Sequence, residues 1–159
     1  MNPQLTQAPI MKTAMLIRRP AAEVFEAFIN PDITTKFWFT KSSGRLEAGK
    51  TVQWQWEMYD ISIPVTVKDV EPNRRIVIEW PGYSGPTTVE WVFECQPDGT
   101  TFVRITETGF TGNGHEPVKQ VAESTGGFCL VLAGLKGLLE YDVRLNLIAD
   151  RFPKGIEEH

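Results

Sequence analysis

The sequence predicts an α+β fold in which a curved antiparallel sheet wraps one long C-terminal helix. Three observations carry this. A first strand is followed by two short helical segments. Residues 49–108 then alternate apolar and polar with a period of two, broken by tight turns, as in a sheet with one wet face. From Glu116 the period becomes 3.6 and holds to about Asp150. Only this last helix is long enough to cover the apolar face of the sheet. The 159 residues suit one domain, expected over 1–159 with a core at about 10–152 and flexible tails.

The elements follow in order. "MKTAMLIRR" (Met11 to Arg19) reads as the first strand. In "PAAEVFEAFIN", Pro20 suits the first helical position, and Val24, Phe25, Phe28 and Ile29 recur at helical spacing. Asn30 is a good N-cap and Pro31 a tolerated N1 residue, so "PDITTKFWF" reads as a second short helix ending near "TKSSG". "TVQWQWEM" puts Val52, Trp54, Trp56 and Met58 on one face. "DISIPVTVKDV" puts Ile61, Ile63, Val65 and Val67 inward, with Pro64 marking an edge position or a bulge. "RIVIEW" aligns Ile76, Ile78 and Trp80, and "TTVEWVFEC" aligns Val89, Trp91, Phe93 and Cys95. "TFVRITET" turns Val103 and Ile105 inward. "EPNRR", "PGYSGP" and "QPDGT" are turns or loops, and "GFTGNGHEP" is a Gly-rich loop before the last helix.

At 100° per residue, Val131, Leu135, Leu138, Leu145 and Ala149 fall on one broad apolar arc of that helix, with Phe128, Leu132 and Leu139 at its border. Lys136, Glu140 and Arg144 lie opposite, four residues apart, as a solvent face with weak pairing. Asp142 falls among the leucines, as a helix-end residue near solvent or as a polar anchor at a pocket wall. Gly126-Gly127 reads as a kink or as the true helix start.

Composition narrows the function. A net charge of -4 without a polybasic run argues against nucleic acid and an anionic membrane surface as partners. The charge-free run Ser124 to Leu135 is shorter than the roughly 20 apolar residues of a membrane span. Cys95 and Cys129 form no metal-type or redox spacing and are expected to be reduced and buried. No signal peptide is visible in "MNPQLTQAPIMKTAML", so a cytoplasmic location is expected. His115 reads as a surface or helix-start residue and His159 as a mobile terminal one, which leaves no nucleophile–histidine set. HExxH, P-loop and dinucleotide motifs are absent, and neither a metal nor a cofactor is expected. Glu57, Glu107 and Asp142 remain as acid/base or anchoring groups.

The aromatic residues are the strongest pointer. Trp54, Trp56, Trp80 and Trp91 fall on the inferred inner face of the sheet with Phe93, while Trp38 belongs to the second helix. Such a stripe is either packed core or the lining of a pocket for an apolar or aromatic ligand.

Three segments carry a resemblance. "RRPAAEVFEAFINPDITTKFWF" looks like "aPpeeVFeAltdPe…W". "VEPNRRIVIEW" with "TTVEWVFECQPDGTTFVRITETGF" resembles a sheet whose Thr-rich strand ends in Gly-Phe. "GGFCLVLAGLKGLLE" resembles a "GW…L..LK..LE" helix, with Phe128 at the Trp position and Asp142 where a Gly often follows. In order and spacing they resemble the START-like (SRPBCC) superfamily, in its branch named for the activator of heat-shock protein 90 ATPase homologue 1. The resemblance implies the helix-grip fold of the birch-pollen allergens and a hydrophobic cavity between sheet and helix, with no set catalytic residues. The expected function is binding of a small hydrophobic or aromatic ligand by a monomer or homodimer. Trp54, Trp56, Trp80, Trp91, Phe93, Phe128, Leu132 and Leu135 would line the cavity, with Asp142 or Glu107 as polar anchor. The alternatives are a polyketide cyclase/dehydratase-like enzyme using a pocket carboxylate, and a co-chaperone that binds through the outer sheet face.

Overall fold

The computed structural model describes residues 8–82 and 84–153. His159 and most of both tails, for which flexibility is expected, lie outside the described residues. Seven antiparallel strands form one curved sheet in the order β1-β7-β6-β5-β4-β3-β2. They are β1 (Met11–Ile17), β2 (Lys41–Ser42), β3 (Thr51–Trp56), β4 (Ile61–Glu71), β5 (Arg75–Pro81), β6 (Pro86–Cys95) and β7 (Thr101–Thr108). The helices are α1 (Ala21–Ile29), α2 (Pro31–Thr34), α3 (Glu116–Tyr141) and α4 (Leu147–Arg151). This is the helix-grip fold, with α3 held against β1 and the inner face of the sheet.

Alternation sets the inner face. Val65 and Val67, Ile76 and Ile78, Val89, Trp91 and Phe93, and Val103 and Ile105 are all buried in one core. Phe128, Val131, Leu132 and Leu135 of α3 meet them from above. By length and composition α3 is apolar enough to cross a membrane. Its buried stripe is nonetheless part of the same core as the sheet.

Several local expectations are corrected. Pro20 is the N-cap of α1 rather than its first helical residue. The second helix stops at Thr34, four residues before Trp38. Asn30 caps it by accepting from the Asp32 N–H at 3.0 Å, and the Thr34 hydroxyl ties it to the Ala27 carbonyl of α1 at 2.6 Å. The chain then forms the short strand β2, which periodicity does not reveal in two residues. The strand holding Trp54 ends at Trp56. Glu57–Tyr59 make a 3-10 turn, so Met58 leaves the inner face and is exposed. Ile61, at the outer end of β4, is also 48% exposed. Pro64 pairs across to Gln53 of β3, beyond the register that β4 shares with β5, and therefore costs no ladder bond on that side. The bulge lies further on, between Val67 and Asp69.

The last helix differs most. It does not run to Asp150: it ends at Tyr141, and Asp142 takes a left-handed conformation (φ 54°) as its C-cap. Its N–H bonds the Leu138 carbonyl at 3.0 Å, and its side chain is exposed, as the helix-end reading has it. Val143 and Leu145 are consequently exposed rather than inside an apolar arc. The helix does not start at Gly126-Gly127: α3 is continuous through them. Gly134 has a packing reason: a Cβ there would lie 3.3 Å from the Phe37 carbonyl oxygen, so its absence lets α3 sit close to the segment after α2.

Lys136 and Glu140 do not form a loose solvent pair. Lys136 Nζ bonds Glu140 at 2.6 Å and the Leu16 carbonyl at 2.8 Å, while Glu140 accepts from the Arg18 N–H at 3.1 Å. Burial pushes the Glu140 carboxyl up, but the Lys136 ammonium and the Arg18 N–H outweigh burial and hold it below its ordinary 4.5. The pair fastens α3 to the end of β1. Both cysteines are free and exposed, not buried. Cys95 is the last residue of β6, and Cys129 lies on the rim of α3, with its sulfur 3.1 Å from the Thr13 hydroxyl.

Candidate functional site

The aromatic stripe divides into two parts. In the first, Trp54 and Trp91 are each 1% exposed and packed on all sides. Trp54 stacks on Phe39 at 4.4 Å between ring centroids, and Trp38 meets Trp54 edge-on at 4.9 Å. Phe28 lies against Trp91 at 5.8 Å and Phe93 at 6.0 Å, while Phe25 meets Phe93 at 5.6 Å. Helix α1 and residues 35–39 supply these rings and fill the space under that half of the sheet. Trp54, Trp91, Phe93, Leu132 and Leu135 are therefore core here and do not line the cavity, a correction to their expected place.

In the second part no helix fills the space, and a cavity of about 380 Å³ opens between the sheet and α3. Trp56, Ile63 and Trp80 come from the sheet, Phe128 and Val131 from α3, and Trp38 from the segment after α2. Phe128 is 5.6 Å from Trp38 and 5.9 Å from Trp80, so it is the hinge between the filled and unfilled halves. Tyr59 and the α4 segment stand at the mouth. The Tyr59 hydroxyl donates to the Ile148 carbonyl and accepts from the Phe152 N–H at 3.4 Å.

One polar cluster lies at the deep end. Glu107, on β7, continues the inward set of Val103 and Ile105 and is 4% exposed. Its carboxylate accepts from the Trp80 indole N–H at 2.9 Å, the Thr87 hydroxyl at 2.5 Å and the Ser124 hydroxyl. The Trp80 N–H is shared with the Thr87 oxygen, also at 2.9 Å. All three are donors, matched to the acceptor oxygens of the carboxylate. Among the described residues no lysine or arginine lies within 4.0 Å of it. Glu123 and Arg151 are on the rim, where the Arg151 guanidinium rests against Gly126 and over the Phe152 ring at 5.2 Å.

Of the ten residues expected at the site, the structure thus brings Trp56, Trp80, Phe128 and Glu107 to the cavity. Asp142 is removed from it by the end of α3. Glu57 is also elsewhere, exposed on the 3-10 turn and 3.8 Å from Lys41. Ser124 and Thr87 were legible, the one a helical turn before Phe128 and the other in the inward set of Val89 and Trp91. Tyr59, Arg151 and Phe152 carried no sequence signal. Among the described residues no cluster of three His, Cys, Asp or Glu side chains could hold a metal.

Comparison with known proteins agrees with this fold. The protein SSP2350 from Staphylococcus saprophyticus is 34% identical, with a TM-score of 0.73, 86% of this chain covered and 96% of the other. The Aha1 dimer from Colwellia psychrerythraea has a TM-score of 0.72 at 19% identity, covering 84% of this chain and 97% of that one. DynU16, of the dynemicin biosynthetic locus, has a TM-score of 0.74 at 19% identity, with 85% of this chain and 48% of the other covered. The last two show the shared fold alone. No curated protein matches the sequence. Residues 18–140 match the family model described as activator of Hsp90 ATPase homolog 1-like protein, and the chain belongs to that family.

Proposed function

We propose that the protein binds a small, mainly apolar ligand in the cavity between the sheet and α3. The observation that carries this is the wall itself: indole, phenyl and branched aliphatic side chains around about 380 Å³, with a single buried polar cluster at the deep end. This is the usual make-up of a small-molecule site, in which apolar walls give affinity and few polar groups give orientation. Trp56, Trp80 and Phe128 are the apolar contacts and Glu107 the anchor. A cytoplasmic setting, in line with the two free thiols, and a monomer or homodimer complete the reading. The homodimer has a precedent in the dimeric Aha1 neighbour.

Binding is favoured over catalysis by the partners of Glu107. They are two hydroxyls and an indole, none of which exchanges protons readily near neutral pH, so no second acid/base group is joined to the carboxylate. Titration of tryptophan fluorescence with a panel of lipids and polyphenols tests the reading. A saturable response that is lost in Trp80→Ala is expected, and a flat response across the panel rejects it. Stimulation of a purified heat-shock protein 90 ATPase tests the co-chaperone alternative, and a flat titration is expected.

A further inference from the structure

Resting on this ligand-binding reading, we propose that the cavity selects an apolar organic cation, an amine whose ammonium group seats against Glu107. A carboxylate that is 4% exposed has lost nearly all its water, and an unpaired buried charge is costly. Trp80, Thr87 and Ser124 offset part of that cost with hydrogen bonds but bring no positive charge. They also leave the carboxylate unfinished. Glu107 Oε2 takes two donors and Oε1 only one, so Oε1 keeps a lone pair for a further donor.

The walls select the same sign. Indole and phenyl rings carry negative π faces and attract ammonium groups, most strongly when desolvated. Trp38, Trp56, Trp80 and Phe128 surround the space next to Glu107. An acidic ligand would meet both the carboxylate and these rings unfavourably. Among the described residues the one cationic side chain of the lining, Arg151, stands exposed at the rim in water, where its field is screened, with Glu123 on the same rim. An ammonium group thus gains an ion pair as well as a hydrogen bond, where a hydroxyl of the same shape gains the hydrogen bond alone.

The test is a matched series with one carbon skeleton: 4-phenylbutylamine, 4-phenylbutan-1-ol and 4-phenylbutyrate, titrated into the whole protein by calorimetry at neutral pH. The amine should bind about tenfold more tightly than the alcohol, and the acid more weakly than both. Glu107→Gln should remove the advantage of the amine over the alcohol. If that variant fails to fold, the order of the three ligands on the unaltered protein still decides. Equal binding of amine and alcohol, or tightest binding by the acid, overturns the charge preference while leaving a ligand cavity in place. Absence of binding by all three, together with a flat fluorescence panel, overturns the cavity reading itself.

Discussion

The two halves of the aromatic stripe have the same composition and opposite outcomes. Around Trp54 and Trp91 the rings of Phe28, Trp38 and Phe39 close every gap, and both indole N–H groups are buried without an oxygen or nitrogen partner. Around Trp56 and Trp80 the rings are only half-buried, and the Trp80 N–H is paired to Glu107 and Thr87. The filled half tolerates two orphan donors, each costing about 1–3 kcal/mol, because burying large rings offsets it. The unfilled half places its polar group where a ligand can meet it. Inward-facing tryptophans therefore do not identify a pocket. What matters is whether another element brings side chains to cover them.

Substitutions can break this contrast, and the largest effect belongs to the filled half. Trp91→Ala should cost about 3–5 kcal/mol, as large-to-small changes in packed cores do. Urea unfolding would show it, and a loss no larger than that of Trp56→Ala would mean the halves are equally packed. The Lys136–Glu140 clasp comes next, since it holds α3 on the sheet that both halves share. Glu140→Gln should cost about 1–3 kcal/mol at neutral pH. Because the folded carboxyl lies below its ordinary 4.5, its contribution is complete above that value and disappears as the pH falls through the folded pKa. Acid unfolding of the variant should accordingly be shallower in that range than that of the unaltered protein.

A paired conservative change sharpens the comparison. Trp91→Phe removes an orphan N–H and should change stability by less than about 1 kcal/mol. Trp80→Phe removes a donor from a buried carboxylate and should cost about 1–3 kcal/mol and weaken ligand binding. Equal costs for the two would contradict the different pairing of their N–H groups. A small, local effect is expected at the mouth. Tyr59→Phe removes the bonds to Ile148 and Phe152 and should lower stability by about 0.5–1.5 kcal/mol. Hydrogen exchange should speed up in α4 and not in β6 or β7, and uniform acceleration would deny α4 its separate attachment.

The sequence by itself determined the order of the elements apart from β2 and α4, most of the inward set of β3 to β7, and the buried stripe of α3. These follow from periodicities of 2 and 3.6 that act within one element, and they survive any later packing. They were enough to put Glu107 in line with Ile105 and Thr87 in line with Val89. Tertiary structure decided what no local pattern encodes. It ended α3 at Asp142 and so turned an apparent pocket residue into a cap. It exposed Cys95 at the end of β6 and Cys129 on the exposed side of α3. It set Phe25, Phe28, Phe37, Trp38 and Phe39 against one half of the stripe, and among the described residues only Trp38 and the edge of Phe39 reach the other. The physical reason is that filling a cavity depends on matching volumes brought together from distant segments. A periodicity specifies direction but not the presence of a partner.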